Sequence, residues 1–263
     1  MKNIYRIEHN GQTCHALYQG DEWFSLKGDL YGEFKVGDRL EVVKPRILAP
    51  LISSKIVAVG LNYKDHAAEM NKALPAEPLI FLKPSTAIIG PGDSIVIPPQ
   101  AGRIDYEAEV GVVIGRVARN VPADRAQEYV LGLTCVNDVT DRDLQKRDVQ
   151  YTRAKGFDTF APIGPCVAPV ELDIPLGVES RVNGELRQNS STSELIFSIR
   201  ELIQFVTAVM TLLPGDIIST GTPPGVGALT PGDRVVVAVE GVGELGNDVI
   251  QSGASSAGAD NQS

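Results

Sequence analysis

The sequence predicts an α+β protein in which short strands outnumber helices. Apolar runs of about four to eight residues recur between glycine- and proline-containing turns, as in LIFLKP, TAIIGPG and DSIVIPP. Helical spacing of apolar residues is confined to a few segments. The chain has 263 residues, of which 43% are hydrophobic, so it can bury a large core and hold one large domain beside a small one.

Residues 1–52 are predicted to form a small β-rich domain. IYRIEH, TCHALYQ and EWFSL have strand composition and are followed by the turn-like KVGDRLEVV. Pro45 and Pro50 then indicate a linker over 43–54, because proline cannot donate to a β-ladder and restricts the residue before it. We therefore place the boundary near residue 52.

The main domain is expected over residues 53–252. It begins with a buried strand, KIVAVG, and a short helix that Asn62 would cap and that ends before Pro75. β-Dense segments follow, including IDYEAEVGVVIG, and a helix is predicted over 122–133.

The second half of the main domain contains a strand, a helix and further strands. An apolar run over 131–136 leads to Asn137 and Asp138 at its end. A helix is predicted over 193–213, and DIISTG and DRVVVAVEGVGELGNDVI return to strands. The helix is indicated by apolar residues at helical spacing: Leu195, Ile199, Leu202, Phe205 and Val206. Residues 253–263, GASSAGADNQS, have the composition of a disordered tail.

Charge and cysteine content exclude several classes of function. The 33 acidic and 24 basic residues give a net charge of −9, so repulsion disfavours nucleic acid and anionic membranes as partners. No apolar stretch follows MKNIYRIEHNGQT, and no run of about 18 apolar residues occurs, so we expect neither signal peptide nor membrane span and a cytoplasmic location. The three distant cysteines lack a C-x-x-C pair, which favours buried free thiols over zinc or disulfides. Small molecules remain the natural ligand class.

Alternating carboxylates distinguish residues 104–115, IDYEAEVGVVIG. Asp105, Glu107 and Glu109 would share one face of a strand. Such alternation is typical of a half-buried strand with a solvated face. A hard-cation site is the alternative, because converging carboxylates repel one another and an ion relieves that repulsion.

Asp138 is the candidate for a third carboxylate ligand beside Glu107 and Glu109. A lone acidic residue at the end of a strand is also typical of a turn or a helix cap. If these carboxylates do meet, the absence of histidine or cysteine nearby selects Mg²⁺, Mn²⁺ or Ca²⁺ over zinc.

Basic residues follow Asp138 closely in this acidic chain. Surface solvation explains most of them, whereas one or two could clamp an anionic substrate. They are Arg142, Lys146, Arg147, Arg153 and Lys155.

His66 precedes Glu69 by three residues on a predicted helix, so the two form either a surface pair or a base oriented by a carboxylate.

Seven stretches occur together in one order between about residues 55 and 248. They are IVAVGLNYKDHAAEM, IFLKPSTAIIGPGDSIVIP, IDYEAEVGVVIG, GLTCVNDVTDRDLQ, YTRAKGFDTFAPIGP, VNGELRQ and LLPGDIISTGTPPGVG. Together they resemble the fumarylacetoacetate hydrolase family, in particular its acylpyruvase and hydroxyheptadienedioate isomerase/decarboxylase branch. The resemblance implies a mixed β-roll with peripheral helices, an active site at one end of the roll, and a homodimer.

The resemblance also implies a divalent ion, Mg²⁺ or Mn²⁺, held by Glu107, Glu109 and Asp138. The substrate, a small anionic keto acid, would chelate this ion through its carboxylate and keto oxygens. His66 and Glu69 resemble the water-activating dyad that a mobile lid carries in the hydrolases.

Four further positions match the family's active site. Lys155 matches its lysine, Lys83 and Arg142 match positions that line the pocket, and Thr222, in GTPPG, resembles the threonine that contacts a substrate oxygen. The implied activity is hydrolysis of a C–C bond in a β-diketo acid such as an acylpyruvate or fumarylpyruvate. Decarboxylation of oxaloacetate-like acids and isomerisation of a 2-hydroxy-diene dioate stay open, as does a non-catalytic domain with a structural ion. His66 and Glu69 favour a hydrolase or decarboxylase over a pure isomerase.

Overall fold

Strands dominate the structure, a computed structural model that describes residues 3–42 and 44–253. Within these ranges the strands form three sheets, and the α-helices are short. The predicted α+β class with peripheral helices is confirmed. Residues 254–263, most of the predicted tail, lie outside the described residues.

The N-terminal strands form one end of the largest sheet. They are β1 (Asn3–His9), β2 (Gln12–Gln19), β3 (Glu22–Gly28), β4 (Phe34–Leu40) and β5 (Arg46–Leu48). β1 to β4 form an antiparallel meander, so the segment predicted as turn-like is largely the strand β4. β5 lies inside the predicted linker and pairs with β1.

The remaining strands of this sheet belong to the main part of the chain. They are β6 (Lys55–Val59), β7 (Ile80–Pro84), β8 (Ile88–Ile89), β11 (Ala108–Ile114), β12 (Val130–Asn137), β14 (Ala161–Ala168) and β17 (Ile217–Ser219). The order along the sheet is β4-β3-β2-β1-β14-β12-β11-β17-β6-β7. The pairing of β17 with β6 is parallel, whereas β11 pairs antiparallel with both neighbours. The sheet is therefore mixed, and β1 joins the N-terminal strands to it through β14. The domain boundary near residue 52 stays a prediction.

Two smaller sheets complete the β-structure. The first contains β10 (Ile104–Tyr106), β13 (Thr140–Asp141) and β18 (Gly227–Ala228). The second contains β9 (Ile95–Ile97), β15 (Gly177–Val182), β16 (Glu185–Ser191), β19 (Arg234–Val239) and β20 (Gly243–Gln251).

The helices are shorter than predicted. They are α1 (Lys64–Glu69), α2 (Arg142–Arg147), α3 (Thr152–Lys155) and α4 (Ile199–Val209), with 3₁₀ turns at Ser85–Ala87, Ala123–Tyr129 and Thr192–Glu194. α4 replaces the longer helix predicted over 193–213, because the Ser198 and Glu201 side chains form a capping box that starts the helix at Ile199. The helix predicted over 122–133 is a 3₁₀ helix at Ala123–Tyr129 only, since the chain from Val130 onward is a strand that pairs with β11.

Two apolar clusters cover opposite faces of the large sheet. Val110 and Val112 of β11 pack in a cluster with Leu202 of α4 and Val237 of β19, whereas Val113 packs in a cluster that includes residues of the N-terminal strands. Every residue of β11 is consequently buried.

Among the residues described, no helix combines the length and apolar character needed to cross a membrane.

All three cysteines are free thiols. Cys135 and Cys166 are buried, as predicted, whereas Cys14 in β2 is half-buried. Burial raises the pKa of each thiol.

Candidate active site

The acidic stretch 104–115 forms two strands rather than one. β10 ends at Tyr106 in the small sheet and β11 begins at Ala108 in the large sheet, so Glu107 lies at the junction. Asp105, Glu107 and Glu109 are only 2%, 6% and 1% exposed. The interpretation of a solvated acidic face is therefore wrong.

Three carboxylates meet where β11 and β12 lie side by side. Glu107, Glu109 and Asp138 each offer one carboxylate oxygen, and these oxygens lie within 4.8 Å of one another. Asp138 follows the end of β12, and its backbone N–H donates to the Glu107 carbonyl at 2.9 Å. The Asn137 amide oxygen accepts from the backbone N–H of Glu107 at 3.0 Å. The strand pairing therefore creates the cluster.

Asp105 lies outside this cluster. Its carboxylate accepts hydrogen bonds from Nε of Arg103 and Nε of Arg142, each at 2.8 Å. Although Asp105 alternates with Glu107 and Glu109 in the sequence, it therefore forms ion pairs with arginines and is not part of the cluster of three carboxylates.

The donor set fits a hard divalent cation. It consists of carboxylate oxygens alone, which Mg²⁺, Mn²⁺ and Ca²⁺ prefer. Oε2 of Glu109 accepts from the Ser219 hydroxyl at 2.5 Å and from the Gly221 N–H at 2.9 Å. Oε1 of Glu109 has no hydrogen-bond partner in the part of the chain that the structure describes. Burial and the nearby Asp138 and Glu107 carboxylates raise the pKa of Glu109 to about 8, so a bound cation would favour its ionised form.

Two lysines contact the same carboxylates. Nζ of Lys155 donates to Oε2 of Glu107 and Oδ2 of Asp138, both at 2.6 Å, and Nζ of Lys83 donates to Oδ1 of Asp138 at 2.5 Å. Both lysines are buried. Burial lowers the pKa of Lys83, whereas for Lys155 the Asp138 and Glu107 carboxylates outweigh burial and raise the pKa.

Arg142 supplies the third cation. Its guanidinium donates to Oε1 of Glu107 at 2.5 Å and to the Gln145 amide oxygen at 2.8 Å. Burial opposes ionisation of Glu107, but Lys155 and Arg142 prevail and lower the pKa of this carboxyl to about 2. Asp105, Glu107 and Asp138 are therefore joined in one connected ion-pair network with four basic side chains, namely Lys83, Arg103, Arg142 and Lys155, and Glu109 lies beside it.

His66 and Glu69 lie together on α1. Nδ1 of His66 and Oε2 of Glu69 are 2.8 Å apart, and the second Glu69 oxygen accepts from the Gly225 N–H at 3.2 Å. Asn62 does not cap this helix, whose N-cap is Tyr63. The Asn62 amide instead donates to the carbonyls of Phe197 and Thr220, which fixes the chain just before the helix.

Thr222 lies in the loop after β17. Its hydroxyl donates to the carbonyl of Ala108 at 2.9 Å, at the start of β11. The loop residue Gly221 contacts Glu109, so the GTPPG segment is held against the strand that carries Glu109.

A cavity of about 700 Å³ opens onto this network. Most of the predicted site residues line it, namely His66, Glu69, Glu107, Glu109, Arg142, Lys155 and Thr222. Lys83 and Asp138 are fully buried and are not part of its lining. Of the remaining basic residues, Lys146 lines the cavity, whereas Arg147 and Arg153 are exposed.

Several residues that line the cavity were not predicted from the sequence. Phe81 lies 5.1 Å from Nζ of Lys155, ring centroid to nitrogen, and packs edge-on against Tyr151. Gln145 follows Arg142 by three residues on α2, a spacing that places the two on one helix face and could have identified it.

Comparisons with known proteins identify the family of this chain. The model of the fumarylacetoacetate (FAA) hydrolase C-terminal family matches residues 55–250. The mitochondrial oxaloacetate tautomerase Fahd2a of Rattus norvegicus is 41% identical over 215 residues, which cover 77% of this chain and 69% of that protein.

Two solved structures are similar over most of the chain. A 5-carboxymethyl-2-hydroxymuconate delta-isomerase from Mycobacterium smegmatis has a TM-score of 0.89 at 41% identity and covers 95% of this chain and 100% of its own. The fumarylpyruvate hydrolase from Pseudomonas aeruginosa, in complex with Mn²⁺ and pyruvate, has a TM-score of 0.71 at 31% identity and covers 81% and 94%. This chain is therefore an enzyme of the fumarylacetoacetate hydrolase family.

Proposed function

We propose that this protein hydrolyses a C–C bond in a β-diketo acid of the acylpyruvate or fumarylpyruvate type and depends on a divalent cation. The observation that supports this best is the His66–Glu69 pair, 2.8 Å apart, on the wall of the cavity that contains Glu107 and Glu109. A paired histidine is the group that hydrolysis needs to activate water.

We propose Glu107, Glu109 and Asp138 as the ligands of Mg²⁺ or Mn²⁺. Their oxygen-only chemistry and their proximity support this assignment. When bound, the cation would supply Lewis acidity and a chelation point for the keto acid. The neighbouring hydrolase structure contains Mn²⁺ and pyruvate.

His66 has the geometry of a general base. If Nδ1 carries the proton and donates a hydrogen bond to Glu69, Nε2 keeps a lone pair that can accept a proton from water. Glu69 thereby fixes the ring orientation and stabilises the positive charge that forms on the ring. The activated water would attack the carbonyl remote from the carboxylate, and pyruvate or a related keto acid would leave.

We propose that the substrate is bound by Lys155, Arg142 and Thr222, and that Lys83 supports the site through Asp138. Lys155 and Arg142 line the cavity and bring positive charge to the place where an enolate oxygen would gain negative charge. Lys83 contacts Asp138 but does not line the cavity, so we propose that it orients this ligand.

The direct test is pyruvate release from acylpyruvates and fumarylpyruvate with Mg²⁺ or Mn²⁺. We expect turnover by the wild type, loss with a chelator, and a decrease of about 10²-fold or more in kcat for His66→Ala. His9→Ala is the matched control, because His9 lies in β1 and does not line the cavity. Full activity of His66→Ala would contradict the assignment of the base.

A second candidate is decarboxylation or enol–keto conversion of an oxaloacetate-like acid, or isomerisation of a 2-hydroxy-diene dioate. It is favoured by the relatives at about 41% identity, which are named as an oxaloacetate tautomerase and a 5-carboxymethyl-2-hydroxymuconate isomerase. These reactions use the same kind of enolate but no attacking water. Oxaloacetate enol–keto conversion, CO₂ release and isomerisation of a 2-hydroxy-diene dioate, measured beside acylpyruvate cleavage, distinguish these activities. Turnover of oxaloacetate without acylpyruvate cleavage would replace the hydrolase proposal.

A further inference from the structure

Gln188 in β16 connects three parts of the site. Its side chain is fully buried, and its amide nitrogen donates to the Thr222 hydroxyl and to the Pro223 carbonyl, both at 2.8 Å. Its amide oxygen accepts from the Ala108 N–H at 3.0 Å and from the Ser180 hydroxyl at 2.9 Å. All four hydrogen-bonding positions of the carboxamide are therefore used.

These bonds determine what Thr222 can offer to a substrate. The single hydroxyl proton of Thr222 already goes to the Ala108 carbonyl, and Gln188 donates to the same hydroxyl. The backbone N–H of Thr222, in contrast, has no hydrogen-bond partner within 3–42 and 44–253. Thr222 lines the cavity, and of its two donors only the N–H is left without a partner among the described residues.

We infer that Gln188 is a positioning residue that acts through Thr222. It fastens Thr222 and Pro223 to Ala108, the residue between Glu107 and Glu109, and so fixes the Thr222 N–H relative to the carboxylate cluster. The inference rests on the proposed function, in which a keto acid occupies the cavity beside a cation.

The chemistry of the position explains why a carboxamide is needed. Glutamate has at most one donor, and none when ionised, for the Thr222 hydroxyl and the Pro223 carbonyl, and methionine, of similar length, has no donor and only a weak thioether acceptor. Gln188→Met removes both donors and Gln188→Glu at least one, but Gln188→Glu keeps acceptors for Ala108 and Ser180. The two variants together separate the role of the donors from that of burial.

Asn247 in β20 supplies the matched control. It is 1% exposed, and its amide nitrogen donates to the carbonyls of Gly90 and Asp93, both at 2.8 Å. It does not line the cavity. Asn247→Leu thus removes a buried amide with two backbone acceptors elsewhere in the fold.

The first experiment measures amide hydrogen exchange of the segment 219–226 in the metal-free proteins. We expect faster exchange in Gln188→Met and Gln188→Glu, because the loop loses its link to β11, and unchanged exchange of this segment in Asn247→Leu. Wild-type exchange rates in both Gln188 variants would overturn the inference.

The second experiment measures oxalate binding to the Mn²⁺-loaded proteins by calorimetry. We expect both Gln188 variants to bind oxalate about tenfold more weakly, while the Kd for Mn²⁺ changes by less than about threefold. Asn247→Leu should bind oxalate like the wild type. Equal weakening in Asn247→Leu, or unchanged oxalate affinity in the Gln188 variants, would overturn the role toward the substrate.

The two experiments separate the inference from the proposed function. If the Mn²⁺-loaded wild type does not bind oxalate, the chelating function fails, and with it the role of Gln188 toward a substrate. Hydrogen exchange then still decides whether Gln188 holds the loop.

Discussion

Asp138→Ala should remove the ion-pair partner of two buried lysines and abolish the increase in melting temperature that a bound metal ion causes. Asp138 is fully buried, and both of its oxygens accept from lysines, at 2.5 Å from Lys83 and 2.6 Å from Lys155. Among the described residues, Lys83 then keeps only the Val139 carbonyl as an acceptor, at 3.3 Å. Breaking a buried ion pair from one side costs about 3–5 kcal/mol. The melting temperature of the metal-free protein should therefore fall by about 10 °C.

The metal response provides the functional half of this prediction. A cation at about 100 times its Kd stabilises the folded wild type by about 2.7 kcal/mol, which corresponds to an increase of about 5–10 °C in melting temperature. We expect no such increase for Asp138→Ala, measured by calorimetry or fluorescence with and without Mn²⁺. Acylpyruvate turnover should be lost as well.

Asp216→Ala is the matched control. Asp216 is also fully buried and contacts Lys55, the Ser54 hydroxyl at 2.5 Å and the Leu213 N–H at 2.7 Å, but it does not line the cavity. It should be destabilised comparably and keep the full metal response. If either alanine variant does not fold, Asp138→Asn and Asp216→Asn make the same comparison. A metal-induced increase in Asp138→Ala as large as in Asp216→Ala would refute the ligand assignment.

Three further predictions concern the network around Asp138. Because the pKa of Glu109 is raised to about 8 from 4.5, the metal-free folded protein keeps a proton that the unfolded chain loses. Relative to Glu109→Gln, its free energy of unfolding in urea should fall from pH 5 to pH 8 by about 3.5 kcal/mol, and a flat difference would contradict this. Ser219→Ala removes a donor to Glu109 and should weaken Mn²⁺ binding about 10- to 100-fold in titration calorimetry; an unchanged Kd would be evidence against Glu109 as a ligand. Lys155→Met should lower kcat/KM about 10²-fold while Mn²⁺ still binds, and turnover near the wild-type rate would exclude a role for Lys155.

Local spacing predicted the contacts that depend on one element. His66 and Glu69 are three residues apart, and α1 brings their side chains to 2.8 Å. The strand that ends at Asn137 was likewise recognisable from its apolar run, so Asp138 could be placed at a strand end. Periodicity carries this information because neighbours within one helix or strand are fixed by backbone geometry.

Contacts that depend on pairing between distant strands were not predictable in this way. The alternation over 104–115 continues through Glu107, and nothing local shows that β10 and β11 enter different sheets. The apolar residues after Tyr129 fit a helix face as well as a strand, and only pairing with β11 and β14 decides for the strand. Gln188 lies 80 residues from its partner Ala108, so its role needed the fold.

The charges of the network indicate how cation and substrate would depend on each other. Four buried carboxylates, Asp105, Glu107, Glu109 and Asp138, lie among four basic side chains, Lys83, Arg103, Arg142 and Lys155, so the group is neutral without a cation when all eight are ionised. A divalent cation would leave two positive charges in excess, in a largely buried site where uncompensated charge is costly. A keto acid that binds as a dianion restores neutrality, whereas a neutral analogue does not. Cation and anion should therefore strengthen each other's binding by the same factor, as linkage requires. Mn²⁺ affinity measured with and without saturating oxalate determines that factor, and equal affinities would show that the charges are compensated in another way.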